Sequence, residues 1–592
     1  MKNKKHIYSL LIGSALILGS CEDLTYYNPG AVVQETFWQT EDDAKKGIVG
    51  TYSMMKNPWA FGYYFMLDQC SDLVTSTTTV YGAAARGESA AFASNNSSIQ
   101  NHWQYLYEMI HRANSVIRNV GGMENISSST RDQIVGEGKF LRAMAYFELI
   151  NCWGDVPYYG EDFVVSESYL ESDRPRESKD AIRERIIDDL TDAAAKLPVR
   201  WDEANYGRAT KGAAVALRGK VHLYNEQWQN AISDFEDIVY NRTENYGYEL
   251  AKNMEEWEFM FHMYPGRKSA EYIFSMMSEN APGVGAYGNA LCTMLGSKAT
   301  YLNIAGNPVV PSTRLIDKYE YPDGTKFKWT DIFPNWESSY DYRKSLYLVR
   351  VATPDPDVPE SSIIDDYLDS DPDNVTRAYE NRDPRLSATA IVPFSHTLGC
   401  RTDIPDDMMY VFPGPGSISL HAATTFFPND LGWYSYLFRK FVPEGDCDGH
   451  ITSYTECPYE FPFIRLSDVV LMLAEAYNET NQLDKAIVEV NKIRSRVGMP
   501  VLNEAGKPWM SVGSKDEMTQ RIRDERAYEL VIEGHRFHDL KRWGIYNTAF
   551  ENEHDIFEEH LYVRSYQDRY ELWPIPQIAI QNNPNLTQNP GW

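Results

Sequence analysis

The sequence predicts a mainly α protein, a superhelix of stacked helix pairs carrying a loop-rich lobe with short strands. Three observations predict it. Apolar residues recur at three- and four-residue spacing over 102–120, 131–151, 213–238, 464–493 and 516–543, the period of a helix with one buried face. Two of those stretches repeat one pattern, helix, tight polar turn, helix. Between them, over 240–465, the helical period fades while Pro, Gly, Asp and aromatic residues rise. At 592 residues the chain is also well beyond the roughly 250–300 at which single cores stop growing, so more than one lobe is expected.

The elements follow in chain order. Lys2, Lys4 and Lys5 precede a mainly apolar stretch over 7–18. It is too short to cross a ~30 Å hydrocarbon layer as a helix and has the form of a signal peptide. Leu18-Gly19-Ser20-Cys21 then resembles a bacterial lipobox, which implies a product beginning at a lipid-bearing Cys21. No other stretch reaches about 18 consecutive apolar residues, so a tethered soluble body is expected. Residues 22–36 read as an extended lead-in. Thr40-Glu41-Asp42-Asp43 supplies an N-cap with acids in the first turn. Ala213, Leu217, Val221 and Tyr224 mark one helix, and Trp228, Ala231, Ile232, Phe235 and Ile238 its partner. Ala231-x3-Phe235 resembles the second-helix signature of tetratricopeptide repeats. Leu471, Ala474 and Tyr477, then Leu483, Ala486, Ile487 and Val490, repeat the pair. Each pair exposes an apolar stripe until it stacks on a neighbour.

Composition narrows function. A net charge of −28 lacks the basic footprint a nucleic-acid binder needs. Forty Tyr and 14 Trp suit surfaces that grip a ligand by an apolar face and a polar handle. The seven Cys are scattered, which argues against a disulfide scaffold; Cys447 and Cys457 flank one polar loop and could pair or stay as thiols. His535 and His538 are three apart on a helix, but no third ligand is evident and the spacing is not His-Glu-x-x-His, so a structural role is expected. Gly283-Val284-Gly285-Ala286-Tyr287-Gly288 matches G-x-G-x-x-G without the preceding strand or the later acid, so a loop presenting Tyr287 is expected instead. The carboxylates over 355–373 suit a hard cation such as calcium but lack the EF-hand pattern, so they read as a solvated acidic loop. The sequence carries no Walker A or G-x-S-x-G string, and no cofactor is expected.

These residues resemble the SusD/RagB-like outer-membrane nutrient-binding lipoproteins of Bacteroidetes over nearly the whole mature chain. The resemblance rests on Phe37-Trp38-Gln39-Thr40, on Arg112-Ala113-Asn114, and on Gly136-Glu137-Gly138-Lys139-Phe140-Leu141-Arg142-Ala143 followed by Trp153-Gly154-Asp155-Val156-Pro157. It continues through Gly207-Arg208-Ala209-Thr210-Lys211, Asn381-Arg382-Asp383-Pro384-Arg385, Ile464-Arg465-Leu466-Ser467-Asp468, Arg523-Asp524-Glu525-Arg526 and Asp539-Leu540-x-Arg542-Trp543-Gly544. The family more often has Ala where Gly138 stands, a departure expected to cost about 1 kcal/mol of helix propensity. Arg142, Glu525, Arg526, Glu529, Arg536 and Asp539 read as partners in ion pairs between helices.

The resemblance implies a SusD-like fold divided into a signal peptide (1–20), an N-terminal helical region (21–240), a loop-rich ligand-binding lobe (241–463) and a C-terminal helical region (464–592). It implies a lipid-anchored, non-enzymatic protein of the outer membrane that faces the cell exterior. Such a protein captures a nutrient, usually an oligosaccharide, as a lid on a SusC-like TonB-dependent transporter. In the family, binding loops precede the second N-terminal helix and lie in the lobe. By residue chemistry, the first place offers Asp72, Tyr81 and Arg86, and the second Tyr287, Tyr301, Trp329 and Trp336, with Tyr340 beside them. Rings would cover sugar faces while Asp and Arg bond the hydroxyl rim. A peptide-binding member of the family, a surface glycosidase and a structural adaptor are the alternatives.

Overall fold

The computed structural model describes residues 37–76, 93–164, 173–263, 267–278, 289–296, 309–351, 364–366, 368–399, 407–414, 426–428, 434–445, 457–551, 553–562 and 564–592. Helix α1 (Glu41–Tyr52) opens with the expected cap: the Thr40 side chain accepts from the Asp43 N–H, and Asp43 reaches back to the Thr40 N–H at 2.8 Å. Strand β1 (Val74–Ser76) follows, then helices α2 (Ser97–Gly121), α3 (Ser128–Trp153), α4 (Lys179–Lys196), α5 (Lys211–Tyr224) and α6 (Trp228–Tyr240). Neighbours in this series pack on one another, as the stacked-pair reading requires. Helix α3 is buried almost all round from Ile134 to Trp153, so it is the central post rather than an amphipathic surface helix. At Gly138 an added Cβ would meet Ile117 Cγ1 of α2 at 3.0 Å. The glycine therefore allows two long helices to approach closely, a tertiary gain that the propensity argument leaves out.

The lobe contributes β2 (Tyr272–Met276), β3 (Val309–Pro311) and the short helix α7 (Thr313–Lys318). It continues with β4 (Leu348–Val351), β5 (Ile364–Asp366), β6 (Ala390–Ile391), β7 (His396–Leu398), β8 (Asp407–Pro413), β9 (Phe426–Pro428) and β10 (Leu437–Phe438). Strands run in the order β5-β4-β8-β7 in a mixed sheet, with β9 parallel to β8. Strand β11 (Phe461–Arg465) pairs antiparallel with β2, so it ties the lobe to the C-terminal region and crosses the expected boundary at 464. Helices α8 (Leu466–Glu479), α9 (Leu483–Arg496), α10 (Lys515–Leu530) and α11 (Arg536–Arg542) complete the scaffold.

The helical stretch expected over 516–543 is broken between α10 and α11. Ile532 and Gly534 take left-handed φ values of 60° and 81°. A Cβ on Gly534 would lie 2.6 Å from the Tyr64 backbone oxygen, and the Gly534 N–H donates to Asp68 at 3.3 Å. The turn thus lets the segment around Asp68 dock, and only glycine fits there without strain.

Buried charges lock the pieces together. Arg465 is fully buried and binds Glu271, Glu529 and Glu533, each at 2.7 Å. Arg385 binds Asp383, Glu525 and Glu529, and Arg494 binds Glu320 and Glu525, at 2.7–3.0 Å. Arg526 bridges Asp468 and Asp539, and Arg142 bridges Asp189 and Glu161. The residues read as ion-pair partners from sequence fill that role here. Among the described residues no helix is long and apolar enough to cross a membrane.

Candidate functional site

Strands β1 and β3 form one antiparallel ladder, with Val74 opposite Pro311, Thr75 opposite Val310 and Ser76 opposite Val309. The two regions singled out for ligand contact, 68–101 and 287–342, are therefore joined. The chain leaves the ladder after Ser76 and enters it before Val309, at the same end, because antiparallel partners place these two termini opposite each other. Ser312 secures the other end. Its N–H donates to the Leu73 carbonyl at 3.0 Å and its hydroxyl to the Asp72 carbonyl at 2.8 Å, while the same Oγ caps α7 by accepting from the Leu315 N–H.

Beside this junction lies a cleft of about 480 Å³. Its wall comes from Asp72, from Arg314, Asp317 and Lys318 of α7, and from Lys326 and Phe327. Asp524 and Tyr528 of α10, with Thr548 and Glu551, close the other side. Charges alternate along it at loose spacing: Arg314 to Glu551 is 3.7 Å, Lys318 to Asp524 is 3.3 Å and Lys326 to Asp524 is 3.8 Å. Asp317 is open to the cleft yet surrounded by protein on its other sides. That burial pushes its carboxyl up to about 6, against the pull of Arg382. Such a wall offers donors and acceptors in alternation, which suits a neutral polyhydroxylated ligand better than a single strong charge.

The sequence-selected residues fall in three places. Asp72 lies on the cleft but is buried, and both of its oxygens accept from Arg536 at 2.8 Å. Burial alone would raise its pKa, but the guanidinium holds it down to about 2. Trp329 and Trp336 stack on each other at 4.4 Å and 10°. Trp336 is 1% exposed and donates its indole N–H to Glu558 at 3.0 Å, so its ring supports the lobe from inside rather than facing a ligand. Trp329, 8% exposed, donates its N–H to Asp317 Oδ1 at 3.0 Å and packs edge-on against Phe327, so it steadies the cleft wall from behind. Tyr81, Arg86, Tyr287, Tyr301 and the lipid-bearing Cys21 lie outside the described residues, as does Cys447; Cys457 is buried. Residues 355–363 and 367 of the acidic stretch also lie outside them.

Sequence reasoning missed Arg314, Asp317, Lys318, Asp524 and Tyr528. The first three lie within the flagged stretch 287–342, where rings rather than charges were selected. Asp524 and Tyr528 reach the cleft from about 200 residues away, and no local pattern announces that. His535 and His538 part company: His535 Nδ1 is 3.2 Å from Lys220 Nζ, and burial pushes His535 down to about 3, whereas His538 faces Glu148 at 3.2 Å. One His, Glu and Cys group, His102, Glu148 and Cys152, has donor atoms close enough to share a metal ion.

A helical-repeat scaffold bearing a loop-rich lobe, with a polar cleft where the lobe meets the scaffold, defines a class of binding protein. The chain belongs to the SusD family, whose model matches residues 270–592; a second model, described as starch-binding associating with outer membrane, matches 51–223. The chain is 26% identical to a SusD-like protein, P25, of Formosa agariphila over 98% of this chain and 97% of that one. It is 24% identical to the starch-binding protein SusD of Bacteroides thetaiotaomicron over 77% of this chain and 72% of that one. Its fold is similar to that of a SusD-like carbohydrate-binding protein of Bacteroides fragilis, with a TM-score of 0.68 at 22% identity, covering 93% of this chain and 100% of that one.

Proposed function

We propose that this protein is a lipid-anchored nutrient-binding protein of the outer membrane, facing the exterior. It captures an oligosaccharide without cleaving it and delivers it to a SusC-like TonB-dependent transporter. The β1–β3 ladder carries this reading, because it sets both flagged loop regions beside a cleft of alternating acids and cations. The starch-binding relative and the family description support glycan as the ligand class. The lipobox-like Leu18-Gly19-Ser20-Cys21 supports the anchor. Against turnover, both oxygens of Asp72 are engaged by Arg536, which leaves it unsuited to act as nucleophile or base beside Asp317.

Calorimetry on the soluble form beginning after Cys21 tests the reading, with plant, mucin and microbial oligosaccharides, mixed peptides as a second arm, and an assay for released reducing sugar. Saturable glycan binding without new reducing ends is expected. Binding in the peptide arm alone would replace glycan by peptide, and sugar release would make the protein a hydrolase.

A further inference from the structure

We propose that His102, Glu148, Cys152 and His538 form a buried structural site for one zinc ion. The four residues meet where α2, α3 and α11 cross. Glu148 and Cys152 are four apart on α3 and so share one face, one turn apart. All four are at most 3% exposed.

The geometry is that of a ligand set. His102 Nε2 lies 3.4 Å from Glu148 Oε1, and Cys152 Sγ lies 3.1 Å from the same oxygen. One donor atom from each of the three residues falls within 4.8 Å of the others. Zinc bonds of about 2.0–2.3 Å to N, O and S place tetrahedral donor pairs about 3.3–3.6 Å apart, so small shifts seat the ion. His538, on the far oxygen of the same carboxylate, would complete the set by a side-chain shift of its Nε2. That atom lies 3.2 Å from Glu148 Oε2 but makes no hydrogen bond, although it is buried.

The surroundings orient the donors as a metal requires. His102 Nδ1 is 2.7 Å from the Trp59 carbonyl, which can only accept, so Nδ1 carries the proton. The other ring nitrogen, Nε2, faces the Glu148 carboxylate at 3.4 Å. A carboxylate in a dry interior needs a positive charge beside it, which a zinc ion held by these donors would supply. Nitrogen and sulfur donors favour zinc over calcium or magnesium. On binding, Cys152 gives its thiol proton to solvent, and Zn²⁺ is neutralised by one thiolate and one carboxylate. Lys541 also faces the group, with its ammonium donating to the Asn151 carbonyl at 2.6 Å. A cleft of about 590 Å³ lined by Asn151, His538 and Lys541 gives a route in from solvent.

The test uses the full chain in detergent, purified without metal-affinity resin or chelator. Plasma mass spectrometry should find about one zinc per chain, or take-up of one equivalent when zinc chloride is added to metal-depleted protein. Cobalt(II) substitution should give visible bands of tetrahedral intensity and a thiolate-to-cobalt charge-transfer band that Cys152→Ser abolishes. Should that variant fail to fold, zinc-edge X-ray absorption on the unaltered chain should show one sulfur at about 2.3 Å. No zinc after both preparations, or zinc without a sulfur neighbour, would overturn the proposal. A protonated imidazole would then be the cation that balances Glu148.

Discussion

Two regions of this molecule use the same side chains for opposite ends. Around Arg465, Arg385 and Arg494, every charge is dry and paired at 2.7–3.0 Å, several of them twice or three times. Around the cleft, Arg314, Lys318 and Lys326 meet their acids at a looser 3.3–3.8 Å on a surface open to solvent. Residue type therefore says little about role. What separates scaffold from site is how completely each charge is satisfied by its own chain. A saturated cluster has nothing left to offer a ligand, while a loosely paired wall can exchange water for sugar hydroxyls at little cost.

Breaking the dry cluster should have the largest effect. Arg465→Ala leaves three buried carboxylates without their shared cation, and a loss of about 3–5 kcal/mol is expected in thermal or denaturant unfolding. The cleft variant Lys318→Ala should stay within about 0.5 kcal/mol in the same assay. Equal losses would erase the distinction.

Trp336→Ala sharpens it from the aromatic side. Removing a buried indole should cost about 3–5 kcal/mol of stability while the folded fraction keeps its glycan affinity. A selective loss of affinity with unchanged stability would return Trp336 to the binding surface.

Asp72 stands where the two regions meet. Its folded pKa of about 2 lies below the ~3.9 of a free Asp, so its contribution is complete above pH ~4 and is lost as pH falls toward 2. Unfolding measured across that window should show about 2–3 kcal/mol of pH dependence in the unaltered chain that Asp72→Asn lacks.

The smallest effect on stability, and the most informative on binding, is expected at the cleft. Asp317→Asn should leave stability nearly unchanged and weaken glycan binding about tenfold, the loss of one charge-assisted hydrogen bond. Binding by the unaltered chain should change between pH 5 and 7, as Asp317 titrates near 6, and binding by the variant should not.

Much of the fold was legible because its signals are local. Helical spacing, the Thr40 cap and the repeated pair at 213–238 and 468–493 each sit within one stretch of chain. The break at Ile532 and Gly534 was not legible, because it exists to receive Asp68 from the far end of the sequence. The site was half legible. The regions around Asp72 and 287–342 are singled out by their residue chemistry, and the structure joins them through β1 and β3. Within them, aromatic character misled, since an indole suits a core as well as a sugar face, and Trp336 took the core. Asp524 and Tyr528 were out of reach because only the folded chain brings α10 to α7.

The most direct test of the account is a crystal structure of the soluble form with the tightest-binding oligosaccharide from the calorimetric panel. The account predicts intact sugar beside the β1–β3 junction, with ring hydroxyls bonded to Asp317 and Lys318 or Arg314 and the Arg465 cluster unchanged. Sugar bound elsewhere with this cleft empty, or a cleaved product within it, would contradict the account.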